Sequence, residues 1–321
     1  MHKDLLIGVD IGGTTVKHAV ISVEGNMLEK WEIPTRLDNN GEQVPYDIWE
    51  SIQKKLKELD IEKNRILGIG VGAPGFIDPE TGNVAIAVNI GWKDYHLQNI
   101  LAELSELNVY VENDANIAAL GENWKGSGNQ VKNMIAVTLG TGVGGGIISN
   151  GQIVNGANGT AGEIGHITVE QNGAACNCGR KGCLETVTSA TGIVRQAKQL
   201  IEEGKAPQLL EKQSEVGELT TKEIFEVAAT HDEAANQVLD YVFNVLGQTL
   251  ANLAITTNPA KIVIGGGVSK AGSQLLEPVK KAFQSHTLAR TNEACEFAIA
   301  ALGNDAGVYG GAYLVLQHTK Q

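Results

Sequence analysis

The chain's hydrophobic pattern begins with LLIGVD, an apolar run closed by an acid, which predicts a buried strand. GGTT follows as a turn, VKHAVIS as a second strand and NMLEKWEI as a third, so the opening reads as a meander. Residues 43–59 space their apolar positions for an amphipathic helix, ILGIGVGA (66–73) returns to a strand, and VYVEN (109–113) feeds directly into the helical ANIAALGENW. Strands alternating with helices after a meander predict a mixed sheet with helices on its faces.

At residue 133 the pattern starts again: NMIAVTL, then GTGVGGG, then IISNGQIV. Setting VDIGGTT (9–15) over VTLGTGV (137–143) places Asp10 opposite Thr138, 128 residues apart, which predicts two halves of one architecture facing a cleft. Helical periodicity covers 189–203, 221–230 and 233–256. The strand KIVIGGG, a helix from Gln274, the strand FAIAA and a glycine-rich helix from Asn304 complete the chain. The charged segment 204–220, with Pro207, reads as a surface connection. The expected division is a smaller domain of residues 1–115 plus 304–321 and a larger one of residues 116–303.

A length of 321 residues suits two domains, and a net charge of −12 with no run of Lys and Arg argues against a nucleic-acid partner. The N-terminus turns apolar after a basic start, but Asp10 interrupts it and no small-residue cleavage site follows, so no signal peptide is expected. Nowhere do about 18 apolar residues run together without charge or frequent glycine, so no membrane span is expected and the cytosol is the expected compartment. There thiols stay reduced, and clustered cysteines bind metal more often than they pair.

The 39 glycines fall in short clusters between apolar runs, where they suggest tight turns against a ligand. Gly70-Gly72-Gly75 and Gly140-Gly142-Gly145 both match G-x-G-x-x-G, yet neither opens a helix by pattern, so a dinucleotide-binding reading fails on context. No Walker-type loop occurs. DIGGTTVK and TLGTGVGG remain as glycine-threonine hairpins whose backbone N–H groups can converge on phosphate oxygens, one in each half, or as ordinary turns. Asp10 stands where a carboxylate could hold Mg²⁺ against those phosphates. The GGG at 265–267 is a third glycine turn after a strand.

At the strand-to-helix corner, Asn113 and Asp114 fit helix capping as well as catalysis, since phosphoryl transfer to a hydroxyl needs a carboxylate to accept its proton. Further on, CNCGRKGC places Cys176, Cys178 and Cys183 in eight positions. With His166 of GEIGH as a fourth donor they make a set for tetrahedral, structural Zn²⁺. Glu163 and Glu185 flank that set, so a metal-fixed loop would hold both acids where they can receive hydrogen bonds from sugar hydroxyls; each taken singly also reads as a solvated surface acid. Cys295 reads as a small core residue.

These residues together resemble the ROK family (repressors, open reading frames, sugar kinases) over nearly the whole chain. CNCGRKGCLE fits its C-x-C-G-x-x-G-C-x-E signature, supported by GEIGH, ENDANIAALGE, LGTGVGGG and DIGGTT. The resemblance implies a duplicated actin-like, ribonuclease-H-like α/β fold and glucokinase activity, ATP-dependent phosphorylation of the glucose 6-hydroxyl. Kinases of N-acetylglucosamine, N-acetylmannosamine or fructose, and a sugar-sensing regulator, are the alternatives. The family's repressors carry a helix-turn-helix domain before the first loop, and only nine residues precede Asp10 here.

It further implies Asp114 as catalytic base and a sugar pocket of Gly75, Asn89, Asn113, Glu163, His166 and Glu185, with His166 also ligating zinc through its other ring nitrogen. ATP with Mg²⁺ would lie along Asp10, Gly12, Gly13, Thr14, Thr15 and Lys17 and along Gly140, Thr141 and Gly142, with Gly265 and Gly266 near the adenosine. The family is often dimeric, so a homodimer is expected.

Overall fold

The computed structural model describes residues 3–319, so Met1 and His2 of the N-terminal segment and the last two residues lie outside the described part. β1 (Leu5–Ile11) is the centre of a five-stranded sheet ordered β3-β2-β1-β4-β8, with β2 (Thr15–Ser22), β3 (Met27–Pro34), β4 (Ile66–Ala73) and β8 (Val109–Asn113). Leu5, Ile7 and Val9 pack in one core and Leu6 in another on the opposite face, so a strand covered on both sides carries no polar alternation. At the sheet edge β3 does alternate, because one of its faces meets water.

Helix α2 (Val44–Glu58) covers the first face with Val44, Ile48, Ile52 and Leu56, an apolar stripe of helical spacing worth roughly 1.5–3 kcal/mol per fully buried side chain. A single irregular turn, α1 (Asp38–Gly41), precedes it, and α3 (Leu97–Ser105) leads into β8. A small sheet of β5 (Phe76–Ile77), β6 (Val84–Ala87) and β7 (Trp92–Tyr95) grows from the turn after β4. Its strands are too short to leave a clear period.

The second sheet runs β11-β10-β9-β12-β13, built from β9 (Met134–Leu139), β10 (Val143–Ser149), β11 (Gln152–Ile153), β12 (Lys261–Gly265) and β13 (Glu296–Ile299). Strand order and direction repeat those of the first sheet. Asp10 lies opposite Lys17 and Gly72, and Thr138 opposite Gly144 and Gly265, the hairpin of β9 and β10 being one residue shorter in register than that of β1 and β2. The duplication expected from a 128-residue offset is present in the backbone, and the fold is the two-lobed actin-like α/β architecture. G-x-G-x-x-G at residues 70–75 and 140–145 belongs to strands and their turns, and neither opens a helix.

Helices α5 (Leu184–Thr188), α6 (Ala190–Glu202), α7 (Pro207–Val216), α8 (Thr221–Ala228), α9 (Glu233–Thr257), α10 (Ser273–His286) and α11 (Ala289–Ala294) complete the second half. Segment 204–220 is thus not a plain connection: Pro207 starts α7, and Ala206, Leu209 and Leu219 are buried in the core. The expectation failed because α7 is mostly exposed, and its single buried leucine gives no stripe. Helix α9 alone is long and apolar enough to cross a membrane among the described residues, and it supplies ten buried side chains to the second core. Cys295 is buried there too.

The chain passes between the sheets twice. It leaves β8 through α4 (Asp114–Lys125), and it leaves β13 through residues 300–305 into α12 (Ala306–Thr319). Helices α4 and α12 cross so closely that a side chain at Gly310 would strike the Ile117 carbonyl. Val308, Ala312 and Val315 of α12 pack on Leu6, Ala19 and Ile21 of the first sheet.

Candidate active site

Asn113 ends β8 in an extended conformation and caps α4: its Oδ1 accepts the N–H of Ala115 (2.9 Å) and of Asn116 (3.2 Å). Its Nδ2 donates to the Gly75 carbonyl (2.9 Å), so one side chain joins the corner to the turn after β4. The capping role therefore falls to Asn113. Asp114 accepts one N–H, from Ala115 at 2.8 Å, through Oδ1.

Asp114 is exposed to water on one side, with the fold close around its other side. That desolvation pushes its pKa up to about 6, against the Ala115 N–H, which lowers it; the charges of Asp10 and Glu163 raise it further. Asp10 is itself raised by burial, opposed by Lys17 Nζ at 3.8 Å from Oδ2. Glu163 is raised by burial and by Glu185, against His166. Acids from both halves therefore face one cleft.

His166 turns one ring nitrogen to each neighbour: Nε2 lies 3.9 Å from Glu163 Oε2, and Nδ1 lies 3.7 Å from Cys176 Sγ. Cys178 Sγ and Cys183 Sγ are 3.6 Å apart, and the donor atoms of His166, Cys176, Cys178 and Cys183 all fall within 4.8 Å of one another. Thiolates about 2.3 Å from a tetrahedral metal would stand about 3.8 Å apart, so the spacing fits such an ion. The loop is folded back by the Cys176 N–H donating to the Arg180 carbonyl (2.8 Å), and Arg180 Nη2 donates to the His166 carbonyl (2.5 Å).

Glu185 joins this loop to the second glycine turn. Its Oε2 accepts the Val143 N–H at 3.0 Å, and its Oε1 accepts from Cys176 Sγ at 3.6 Å. A side chain at Gly142 would strike that carboxylate, which explains glycine there. The turn is also docked on α6, where the Ala190 N–H donates to the Gly140 carbonyl (2.8 Å) and Thr191 Oγ1 to the Thr141 carbonyl (2.8 Å). A cavity of about 750 Å³ opens beside Thr141 and Thr191 and extends to Arg195 and Lys198.

The first glycine turn is closed by the Gly12 N–H donating to the Thr15 carbonyl (3.0 Å) and lashed to the end of β3 by Thr35 Oγ1 on the Gly12 carbonyl (2.7 Å). Gly13 and Thr14 are exposed at its tip. Gly265 and Gly266 line a separate hollow of about 370 Å³ with Thr138, Lys270 and Asn304. Asn89 is exposed, two residues beyond Ala87, which packs on Gly75.

Two residues were not anticipated. Glu112 is buried, and its Oε1 accepts the N–H of Asn113 (2.8 Å) and Asn116 Nδ2 (3.0 Å), while its Oε2 accepts Asn155 Nδ2 (2.9 Å). Asn155 follows β11, so this bond ties the Asp114 corner to the segment leading to Glu163. A charged residue inside the apolar run VYVEN was the available signal for Glu112; Asn155 gave none.

The ROK family model matches residues 6–318. The chain is 52% identical over 312 residues, 97% of its length and 94% of the relative's, to a glucokinase of Halalkalibacterium halodurans. A xylose repressor of Caldicellulosiruptor bescii is 29% identical over 318 residues, 98% of this chain and 79% of the repressor. Among solved structures, a ROK family glucokinase from Streptomyces griseus in complex with glucose and AMPPNP superposes with a TM-score of 0.75 at 33% identity, covering 98% of this chain and 99% of that one.

Proposed function

The chain belongs to the ROK family, and from that premise we propose that it is a glucokinase, transferring the γ-phosphoryl group of ATP to the 6-hydroxyl of glucose. The observation that carries this reading is the division of labour at the β8–α4 corner. Asn113 takes the capping bonds, and Asp114 is left with an oxygen for a hydroxyl and a pKa of about 6, near what a general base needs at neutral pH.

In this reading Asp114 accepts the hydroxyl proton as the phosphoryl group arrives. Asn113, Glu163, His166 and Glu185 hold the other hydroxyls, with the Gly75 turn and Asn89 at the rim. Turns Gly12 to Thr15 and Gly140 to Gly142 would line the phosphates with Lys17, the Gly12 and Gly140 N–H groups closing the turns onto the Thr15 and Gly142 carbonyls, and the Gly265–Gly266 turn would lie toward the adenosine. Closure of residues 1–115 and 304–321 onto 116–303 would exclude water. Mg²⁺ carried with ATP and held by Asp10 neutralises phosphoryl charge when bound.

His166, Cys176, Cys178 and Cys183 would hold Zn²⁺, the ion favoured by one imidazole and three thiolates. Held there, such an ion would be structural, and the loop fixed by those four residues would keep Glu163, His166 and Glu185 toward one sugar. We place the enzyme in the cytoplasm at the entry of glycolysis, as a homodimer without a nucleic-acid partner, the last in keeping with the net charge of −12.

The test is a coupled assay with ATP and Mg²⁺ over glucose, N-acetylglucosamine, N-acetylmannosamine and fructose. Glucose should give the highest kcat/KM. Preference for an N-acetyl sugar would move the assignment within the family, and no turnover with any hexose would end the kinase reading.

A further inference from the structure

Glu122 lies two turns along α4 from Asp114 and is 4% exposed. Its carboxylate is held by backbone: Oε2 accepts the N–H of Ser127 (3.0 Å) and of Ala301 (3.1 Å), and Oε1 that of Leu302 (2.7 Å). A buried anion in the last turn of a helix faces the unfavourable end of the helix dipole, so its position is not explained by helix stability. Its partners suggest another reason. Ser127 belongs to the first passage between the sheets, and Ala301 and Leu302 to the second.

One carboxylate thus grips both connections between the two halves. Ser127 Oγ adds a staple to the Ile299 carbonyl at 2.6 Å. Each gripped connection adjoins a site acid: α4 begins with Asp114, and α12, which follows Leu302 closely, begins against Asp10 of β1, where Gly307 leaves no room for a side chain. The hollow of about 370 Å³ beside Glu122 continues to Thr138, Gly266 and Asn304, so Glu122 borders open space on the side of the second sheet's glycine turn rather than solid core.

We infer that Glu122 is a positioning residue that clasps the hinge and passes closure on the sugar side to the nucleotide loops. The inference rests on the kinase reading above. Glu122 touches neither substrate; it acts through the relative placement of Asp114 and Asp10. Two states differing in hinge angle, one of them favoured by both ligands, would make glucose and nucleotide bind with positive coupling.

Calorimetric titration of glucose and of Mg·AMPPNP, each alone and with the other saturating, tests this on the wild type, Glu122→Gln and Gly126→Ala. In Glu122→Gln an NH₂ group replaces an acceptor facing N–H donors. In Gly126→Ala the carboxylate stays, but the new methyl occupies its place. The wild type should show coupling of about 5-fold or more, the lower end of ordinary allosteric couplings. Both variants should fall within about twofold of no coupling, while each ligand's own Kd moves less than about threefold.

A merely structural Glu122 would lower Tm and leave the coupling intact. If Glu122→Gln does not fold, Gly126→Ala carries the same comparison. Coupling retained in the folded variants, or absent from a wild type that phosphorylates glucose, overturns the hinge role; a wild type that phosphorylates no hexose removes the kinase reading and the inference with it.

Discussion

At the penultimate position of its central strand the first sheet carries Asp10 and the second carries Thr138, and the backbones around them are laid out alike. Each strand is followed by a glycine-threonine turn and then by an antiparallel partner. The side chains diverge. Asp10 faces Lys17 and the start of α12, an electrostatic setting that suits a cation and a phosphate. The second turn instead leans on Glu185 through Val143, and through Glu185 on the cysteine loop. A duplicated frame supplies two anchored turns, and substitution within it has put a carboxylate–lysine pair on one side and a carboxylate link to the cysteine loop on the other.

The largest expected effect concerns the acid between those turns. Asp114→Ala should lower kcat by about 10²- to 10⁴-fold, the usual contribution of a positioned base, with sugar binding partly kept because Asn113 and Glu163 remain. Steady-state kinetics beside calorimetric sugar binding would check this, and near-normal turnover would remove Asp114 from the role.

The asymmetry of the turns comes next. Asp10→Asn should cost on the order of 10²-fold in kcat, as losing a preorganised electrostatic contact does, whereas Thr138→Val at the matching position should cost only a few-fold. Equal losses would mean that the two halves share the chemistry, and the comparison above would fall.

The sugar wall should then respond through its metal. Cys178→Ser is expected to lose zinc and to raise the sugar KM by about 10- to 100-fold, with the ATP KM changed little, because the disturbance reaches the sugar through Glu163, His166 and Glu185. Elemental analysis paired with kinetics in both substrates decides it. Zinc loss with an unchanged sugar KM would separate the loop from the pocket.

How far the sequence anticipated these features varies with the physical signal each leaves. The duplication was legible because buried strands have to be continuously apolar and their turns have to be glycine-rich, so both copies carry the same text. The cysteine cluster was legible because three cysteines in eight positions stand out in any sequence, and the structure gathers them with His166. The small sheet of β5 to β7 and helix α7 were not, since two- to four-residue strands and a helix with one buried leucine leave no period. At residues 113–114 the text allowed both a cap and a base, and only the bond pattern, with Asn113 reaching Ala115, Asn116 and Gly75, assigns the cap. Glu122 and Asn155 act across the fold on residues far away in the chain, and such pairings leave no local pattern.

The smallest expected effect, and the one that isolates electrostatics from chemistry, is on stability. The Asp114 pKa is raised to about 6 in the folded chain, above the model-peptide value of about 3.9. A carboxyl group of that kind favours the fold fully below its unfolded pKa, and the contribution is lost as pH rises through about 6. Asp114→Asn keeps the shape and removes the ionisation, so its Tm should exceed the wild type's at pH 8 and the gain should disappear by pH 4. The same ionisation should shape the wild-type rate: kcat/KM should fall about tenfold for each pH unit below 6, because the protonated acid cannot take the hydroxyl proton. Since water reaches this carboxylate, the stability gain should be modest, and thermal melts from pH 4 to 8 would resolve it. A pH-independent Tm difference would mean that Asp114 is not held in a charge-averse setting, and that burial and the neighbouring Asp10 and Glu163 do not raise its pKa.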